Sequence, residues 1–325
     1  MTHDVVCLRP EADFARVGAL PPRSLKVAYR RPDDANLAAL LREARAIVMP
    51  AVGPKLAPAL FEGSRLALVQ VTGAGVDRLD AQSMKRLGIP VANVPGGSNG
   101  AVAEYAVTAA SMLLRRFAWA DAEIRKGNYA AFRARLLADN LPALEGLTVG
   151  VIGLGVIGLA VAEAFGRFGC KLVYCDPQPR DRAAAAALGA EAVPLEALLA
   201  TADVVCVHVP LLPATRGLIG AAHLAAMKPG AVLVQASRGG VVDEAALAAQ
   251  LASGRLGGAA VDVYETEPIA AGNPLLTLEG DGARKLLLTP HVAGVTRQSY
   301  ALLFRSSWDN VERALRGEPP HNRVY

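Results

Sequence analysis

The stretch VGVIGLGVIGLA, residues 149–160, carries three glycines in the pattern G-x-G-x-x-G. Gly153, Gly155 and Gly158 follow an apolar run typical of a buried strand and precede apolar residues at helical spacing. In a strand–turn–helix unit, such glycines permit a tight turn, close approach of a phosphate, and packing of helix on strand. Simple packing of a helix on a strand would also favour small residues, so this motif alone does not decide between phosphate binding and packing.

A second feature favours a dinucleotide. Asp176 ends the next apolar run, CKLVYCD (170–176), 18 residues after Gly158. A carboxylate at that position accepts the ribose hydroxyls of NAD and repels the 2′-phosphate of NADP. The first N–H groups of the helix, at Val156 and Ile157, suit phosphate oxygens. We therefore predict NAD in preference to NADP; the alternative is a surface Asp in an α/β domain that binds no nucleotide.

Apolar runs alternate with helical patterns in two series along the 325 residues. The first series ends at the turn-rich NVPGGSNG (93–100), and the second contains seven strands between residues 147 and 291. Strands that alternate with helices predict parallel sheets. The sequence thus predicts an α/β protein with two doubly wound parallel-sheet domains, one formed by 1–98 and 293–325 and the other by 99–292.

Two long helical stretches complete this prediction. Residues 101–127 (AVAEYAVTAASMLLRRFAWADAEIRKG) carry a helical pattern throughout. The segment 292–315 also has a helical pattern, and we expect it to close back over the first domain, which is then discontinuous in sequence.

Composition excludes several classes of function. Lys and Arg total 34 against 30 Asp and Glu, they are scattered, and aromatic residues make up 5%, so a nucleic-acid surface has little support. No run of 18 apolar residues predicts a membrane span, and the N-terminal segment lacks the pattern of a signal peptide. The four cysteines form no C-x-x-C pair, which favours reduced thiols in a cytoplasmic protein without a metal site; they are Cys7, Cys170, Cys175 and Cys206.

Three polar residues follow successive strands of the second series. Arg238, Glu267 and His291 come after the runs AVLVQAS, GGAAVDVY and KLLLTP. Carboxyl ends of parallel strands meet at one edge of a sheet, where ligands bind. His is the usual proton donor at neutral pH, and a carboxylate beside it orients the imidazole. The planar guanidinium of Arg can bind a substrate carboxylate through two parallel hydrogen bonds. Each residue alone could be an ordinary loop residue; their matching placement predicts a catalytic group.

The chain resembles the D-isomer-specific 2-hydroxyacid dehydrogenases. Their signature blocks are similar to segments spread over nearly the whole chain: VTGAGVDRLD (71–80), VPGGSNGAVAEYAV (94–107), VIGLGVIG (151–158), CVHVPLLPATRGLI (206–219), SRGGVVDEAAL (237–247), AAVDVYETEP (259–268) and LLTPHVAG (287–294). The resemblance implies a Rossmann NAD-binding domain inserted in a flavodoxin-like substrate domain, and a homodimer formed through the NAD-binding domain. The expected activity is NAD-dependent interconversion of a small 2-oxo acid and its D-2-hydroxy acid.

The resemblance also implies the roles of individual residues. His291 would exchange the proton, Glu267 would support its charged form, and Arg238 would bind the substrate carboxylate together with the backbone at Gly73, Ala74 and Gly75. The implied cofactor-binding residues are Gly153, Gly155, Val156, Ile157, Gly158, Asp176, Val209, Pro210, Thr215, Ala236, Ser237, Arg238, Asp262, His291 and Gly294. His208 is interpreted as a packing or adenine-pocket residue.

Some positions depart from the family pattern. Tyr129 stands where relatives commonly carry Trp, in the arm that builds the dimer, and Val156 replaces a polar residue of the glycine loop. Formate-oxidising relatives carry Gln where this chain has Glu267, and phosphite oxidation favours a Lys in the loop VTGAGVD, which has none.

Two further alternatives stay open. One is a short 3-phosphoglycerate dehydrogenase, whose phosphate-bearing substrate would require an Arg just after the third strand. The sequence there, MPAVGPKLAP (49–58), contains only Lys55 as a cation. A non-catalytic alternative is a dehydrogenase-like NAD sensor, as in corepressors of this fold.

Overall fold

The computed structural model of the protein describes residues 3–179 and 181–325. They form two compact units, one running up to Ser98 and including Val295–Tyr325, the other Asn99–Gly294. The second boundary thus lies two residues beyond the position expected from the sequence. Each unit contains its own parallel sheet with helices on both faces.

Every apolar run interpreted as a strand is a strand, although most are shorter than the run. The strands are β1 (Val5–Cys7), β2 (Val27–Tyr29), β3 (Ala46–Met49), β4 (Leu68–Val71), β5 (Val91–Ala92), β6 (Thr148–Ile152), β7 (Lys171–Cys175), β8 (Glu191–Ala192), β9 (Val204–Val207), β10 (Val232–Gln235), β11 (Gly258–Val261) and β12 (Leu286–Leu288). The helices are α1 (Glu11–Arg16), α2 (Leu37–Glu43), α3 (Ala81–Arg86), α4 (Asn99–Leu114), α5 (Phe117–Arg125), α6 (Tyr129–Ala138), α7 (Val156–Gly166), α8 (Arg182–Ala187), α9 (Leu195–Thr201), α10 (Ala221–Ala226), α11 (Glu244–Ala252), α12 (Gly280–Arg284) and α13 (Arg297–Leu315), with a 3-10 turn at Pro58–Phe61.

The sheet of the first unit has the strand order β2-β1-β3-β4-β5, and all its pairs are parallel. This is the order of flavodoxin-like folds, as predicted. The strands are buried on both faces, as a parallel sheet requires. Their carboxyl ends lead into the loops after β1, β3 and β4, so any ligand of this unit is expected at that edge.

Helix α13 returns to this sheet and covers one face of it, as the sequence predicts. Phe304 lies fully buried with its ring 4.5 Å from that of Phe14, and Trp308 packs 5.1 Å from Phe14. The helix begins at Arg297 rather than near residue 292, because Thr296 caps it by accepting the N–H of Ser299 at 3.1 Å. The expected start was therefore wrong by about one turn and a half.

The second unit has the order β12-β11-β10-β9-β6-β7-β8, again entirely parallel. Strand β6 pairs with β7 on one side and with β9 on the other, so the chain reverses its direction of winding there. In doubly wound sheets the crevice at this switch point binds the ligand. The loop that leaves β6 begins with Gly153, which puts the glycine motif in that crevice.

The long helix predicted over 101–127 is in fact two helices. Helix α4 ends at Leu114, and Arg116 takes up a left-handed backbone conformation with φ of 53° before α5 begins. The side chain of Arg116 pairs with Asp139 and stacks over Trp119, 5.4 Å from the ring centre. Asp139 lies 23 residues further along the chain, so the apolar spacing did not indicate this contact or the break.

Within the part of the chain that the structure describes, no helix combines the length and apolar character that crossing a bilayer requires.

The aromatic contact between α13 and the first sheet yields a stability prediction. Phe304→Ala should lower the free energy of unfolding by about 3–5 kcal/mol, because it removes a fully buried ring and leaves a cavity. Leu302→Ala on the same helix, where the side chain is 53% exposed, should change it by less than about 0.5 kcal/mol. Urea denaturation followed by circular dichroism measures both, and equal effects of the two substitutions would contradict the packing described.

Candidate active site

The glycine loop at the switch point has three glycines in three different environments. Gly153 has φ of +91°, and a Cβ there would lie 2.7 Å from Val209 Cγ1 and 2.9 Å from the backbone oxygen of His208. At Gly158, a Cβ would lie 2.0 Å from the oxygen of Gly153, because α7 packs directly on the turn. At Gly155 a Cβ would meet no atom of the described residues within 4 Å.

The space beside Gly155 is what a bound phosphate group requires. Two glycines are explained by conformation and packing, while the middle one leaves open room beside the first turn of α7. That helix begins at Val156, and the first N–H groups of a helix, here including those of Val156 and Ile157, have no acceptor within the helix. The loop therefore fits the pyrophosphate of a dinucleotide. Packing alone does not explain the glycine at position 155.

Asp176 lies immediately beside this loop. Its Oδ2 accepts the N–H of Leu154 at 2.7 Å, and its Oδ1 accepts the N–H of Gln178 at 2.8 Å. The carboxylate is thereby fixed at the carboxyl end of β7, next to the glycine turn. This is the position from which an acidic residue reaches the ribose in doubly wound folds.

On the other side of the switch point, the segment after β9 borders the same loop. Val209 packs against Gly153. The Oγ1 of Thr215 donates to the oxygen of Pro210 at 2.5 Å and accepts the N–H of Leu212 at 2.8 Å, which closes the turn 210–215. The side chain of Thr215 thus shapes the turn on which Pro210 lies.

His208 directly follows β9 and is half-buried; both its ring nitrogens are enclosed, and neither has a hydrogen-bond partner among the described residues. Burial lowers the pKa of its imidazole to about 4, so the ring is neutral at physiological pH. A neutral imidazole with enclosed nitrogens is a poor proton donor; the interpretation of His208 as a packing or adenine-pocket residue stays a prediction.

Arg238 is held on a turn shaped by Gln235. The side chain of this buried Gln donates from Nε2 to the oxygen of Arg238 at 3.0 Å and accepts the hydroxyl of Ser237 at 2.8 Å. One guanidinium nitrogen of Arg238 donates to the oxygen of Ser237 at 2.8 Å. Ala236 and Ser237 form the turn itself, directly after β10.

The turn of Arg238 packs against the segment that carries Glu267. A Cβ at Gly239 would lie 1.8 Å from the backbone oxygen of Tyr264, so only glycine fits there. The motif S-R-G-G indicates the Arg, but the sequence did not indicate this requirement for its first glycine. The segments that follow β10 and β11 are therefore in direct contact.

His291 and Glu267 form a hydrogen-bonded pair. Nδ1 of His291 lies 2.9 Å from Oε2 and 3.2 Å from Oε1 of Glu267, with side chains 24% and 27% exposed. The N–H of Tyr264 donates to the same carboxylate at 3.1 Å. Burial raises the pKa of Glu267, but its bonds with His291 and Tyr264 and the charge of Arg238 outweigh this and lower the pKa. Glu267 is therefore ionised and keeps Nδ1 engaged.

Asp262 fixes the loop that carries His291 by accepting hydrogen bonds from it. Its carboxylate accepts the N–H groups of Val292 at 2.8 Å and Ala293 at 2.9 Å and the hydroxyl of Thr289 at 2.5 Å. Its backbone oxygen accepts the N–H of His291, which has φ of 55°. This role was not indicated by the sequence, since the donors follow Asp262 by about thirty residues. Gly294 continues the same loop.

The loop Gly73–Gly75 belongs to the first unit and follows β4. The oxygen of Gly73 accepts the N–H of Val94 at 2.9 Å, and the oxygen of Ala74 accepts Nδ2 of Asn93 at 2.6 Å. Gly73 is buried while Ala74 is exposed, so the loop offers part of its backbone at the carboxyl edge of this sheet.

Comparison with known proteins gives consistent matches. The family model described as D-isomer specific 2-hydroxyacid dehydrogenase, NAD binding domain, matches residues 107–293. A glyoxylate reductase of Aeropyrum pernix is 33% identical over 298 residues, which cover 91% of this chain and 87% of that protein. The crystal structure of a D-lactate dehydrogenase from Aquifex aeolicus, complexed with NAD and lactic acid, has a TM-score of 0.85 at 26% identity and covers 98% of both chains.

A D-3-phosphoglycerate dehydrogenase of Archaeoglobus fulgidus is 35% identical over 260 residues, which are 80% of this chain and 47% of that protein. The chain thus spans about half the length of the phosphoglycerate dehydrogenases that it matches.

The open space at Gly155 can be tested by filling it. Gly155→Ala should leave the protein folded but raise the Kd for NADH about tenfold or more, because its methyl group enters the space that suits a phosphate. Titration of NADH fluorescence measures the Kd. Gly272→Ala is the matched control, since a Cβ there also meets nothing within 4 Å. An unchanged Kd for the Gly155 variant would refute the assignment of this space.

The ionised state of Glu267 predicts a pH dependence of stability. Since the folded-state pKa lies below its ordinary value of 4.5, its contribution is fully present above about pH 4.5 and is lost as the pH falls through the folded pKa. The difference in melting temperature between the wild type and Glu267→Gln should therefore narrow below about pH 4.5. Glu265→Gln, at an exposed position, should show no such narrowing, and a difference independent of pH for Glu267→Gln would contradict the pairing.

Proposed function

The chain belongs to the D-isomer specific 2-hydroxyacid dehydrogenase family, and we propose that it reduces a small 2-oxo acid to the D-2-hydroxy acid with NADH, or catalyses the reverse reaction. The observation that carries this proposal is the 2.9 Å pair of His291 and Glu267 beside the turn of Arg238. Each of three neighbouring strands is followed by one of the required groups. These are the proton donor His291, the carboxylate of Glu267 that supports it, and the guanidinium of Arg238 for the substrate carboxylate. This is the set of groups that reduction of a 2-oxo acid requires.

We assign cofactor binding to the loops around the switch point of the second sheet. The backbone from Gly153 to Gly158 would hold the pyrophosphate, and Asp176 would accept the ribose hydroxyls and disfavour NADP. Val209, Pro210 and Thr215 would border the adenosine part, while the nicotinamide end would lie near Ala236, Ser237, Asp262 and Gly294. When bound, NADH supplies the hydride; all other steps fall to residues of the chain.

His291 would move the proton through Nε2. Because Nδ1 is engaged by the ionised Glu267, that nitrogen carries a proton and the ring keeps one tautomer. For reduction the ring would carry a second proton at Nε2, as the imidazolium; this proton passes to the carbonyl oxygen of the 2-oxo acid and leaves the neutral Nδ1–H tautomer. In the oxidative direction Nε2 accepts the hydroxyl proton, and Glu267 stabilises the imidazolium that forms.

Arg238 would bind the substrate carboxylate and polarise the adjacent carbonyl. A guanidinium presents parallel N–H donors that match a carboxylate, which a Lys cannot do. The backbone of Gly73, Ala74 and Gly75 is assigned to the same carboxylate, as the family resemblance implies.

An unphosphorylated substrate such as glyoxylate, hydroxypyruvate or pyruvate is the preferred class. A phosphate-bearing substrate would require an Arg in the segment after β3. Residues 49–58 contain one cationic side chain, and it is Lys55. Phosphoglycerate dehydrogenase activity is the alternative, since relatives carry that name.

We further propose a cytoplasmic homodimer formed through the NAD-binding unit. Helices α5 and α6 expose four large apolar side chains: Phe117, Ile124, Tyr129 and Leu137. Exposed apolar patches mark protein interfaces. The four cysteines are free thiols, which favours a reducing compartment.

Steady-state assays test the activity. The wild type should oxidise NADH, and NADPH far more slowly, with at least one of glyoxylate, hydroxypyruvate, pyruvate, phenylpyruvate and 3-phosphohydroxypyruvate. His291→Ala should lower kcat by about 10²- to 10⁴-fold, because general acid catalysis is lost, with the Kd for NADH unchanged. His223→Ala in the same unit is the control.

Two results would count against this proposal. Full activity of the His291 variant would mean that another group donates the proton. Tight NADH binding with no turnover of any 2-oxo acid would favour the NAD-sensor alternative instead.

A further inference from the structure

In the first unit, the loop after β3, residues 50–54, is tied at both ends to Arg78. Nε of this Arg donates to the oxygen of Pro54 at 2.8 Å, and one guanidinium Nη donates to the oxygen of Pro50 at 2.9 Å. Its backbone oxygen accepts the N–H of Leu56 at 2.9 Å. The side chain is 3% exposed, so it lies under the loop rather than in solvent.

The middle of this loop rests on the guanidinium. A Cβ at Gly53 would lie 3.3 Å from Cζ of Arg78, and Gly53 has φ of +126°, a conformation that favours glycine. The Arg78 side chain therefore contacts the loop at both ends and at Gly53.

On its other side, the same loop contacts the segment that we assign to the substrate carboxylate. A Cβ at Gly73 would lie 2.8 Å from Cβ of Ala51, so the two loops touch directly. Strands β3 and β4 are neighbours, and their following loops leave the same edge of the sheet. A shift of residues 50–54 would consequently shift Gly73.

Stability alone is a poor reason to bury this guanidinium. Burial and the charge of Arg9 lower the pKa of Arg78. Its second Nη is buried without a hydrogen-bond partner in the described part of the chain. A buried cation with an unpaired donor is costly, and apolar residues of similar volume often replace buried charges without loss of stability. The role left for the side chain is to fix the positions of two backbone oxygens, those of Pro50 and Pro54.

We propose that Arg78 is a positioning residue for substrate binding, which fixes residues 50–54 as the support of the carboxylate loop Gly73–Gly75. This inference rests on the proposed function of that loop. Arg78 acts through Ala51 and Gly73, and it touches neither the cofactor nor the reacting atoms. It differs from an anion-binding Arg, because its bonds go to backbone oxygens.

The test compares steady-state kinetics of Arg78→Met with those of the wild type, on the best unphosphorylated 2-oxo acid and on 3-phosphohydroxypyruvate. Displacement of the loop should raise KM about tenfold for both substrates, with kcat changed by less than about threefold. The Kd for NADH should stay unchanged, because the nucleotide-binding loops belong to the other unit. Arg78→Lys should recover part of the KM, since one ammonium can still reach a carbonyl. Arg86→Met, at an exposed position of α3, is the control.

Two measurements guard against misfolding of Arg78→Met. Gly53→Ala disturbs the loop without removing the guanidinium and should raise KM in the same direction. Hydrogen exchange of the peptide covering 49–56 should become faster in Arg78→Met and stay unchanged in Arg86→Met, whether or not turnover is measured.

The inference fails if Arg78→Met keeps the wild-type KM in an active enzyme, or if exchange over 49–56 does not change. It also fails if only the KM for 3-phosphohydroxypyruvate rises, because Arg78 would then bind the phosphate directly. A wild type that turns over no 2-oxo acid refutes the proposed function instead, while the exchange experiment still decides whether Arg78 holds the loop.

Discussion

The hydrogen bond between His291 and Glu267 depends on one constraint, the common edge at which parallel strands end. The two residues are 24 positions apart in sequence and come from the ends of β11 and β12, which lie side by side. Arg238 follows β10, the next strand in the sheet. Because all three strands run in the same direction, their polar ends collect on one side while their apolar residues remain buried in the sheet. The chemistry of the site is thus a consequence of strand order.

The turns after these strands show how little freedom the site retains. Glu267 is held by Tyr264 and His291, and the loop of His291 is held by four hydrogen bonds to Asp262. Gly239 lets the turn of Arg238 lie against the backbone of Tyr264. Such support reduces the reorganisation that a reaction would otherwise require, which is the main way in which protein groups lower a barrier.

Much of this organisation could be predicted from the sequence, because it depends on local patterns. Alternating apolar runs indicated every strand, and the spacing of glycines and Asp176 indicated the nucleotide crevice. Arg238, Glu267 and His291 were predicted to lie at one edge of the sheet because each follows a strand, and the structure pairs His291 with Glu267; their catalytic roles stay a prediction. The break of the helix at Arg116 was not predicted, since the helical pattern continues through it and its ion-pair partner Asp139 lies 23 residues further along the chain. The late start of α13 was missed because apolar residues before Thr296 continued the helical pattern. Likewise, Arg78 had no visible role, because its partners lie about 25 residues earlier.

The central claim is that His291, Glu267 and Arg238 act on a 2-oxo acid held in one orientation. A substrate fixed by its carboxylate and by a proton donor exposes one face of its carbonyl to the hydride, so the product must be a single enantiomer. The most direct test is chiral chromatography of the 2-hydroxy acid formed by the wild type from NADH and its best 2-oxo acid other than glyoxylate, whose product glycolate has no stereocentre. We expect only the D-isomer, and a racemic or L-configured product would contradict the account.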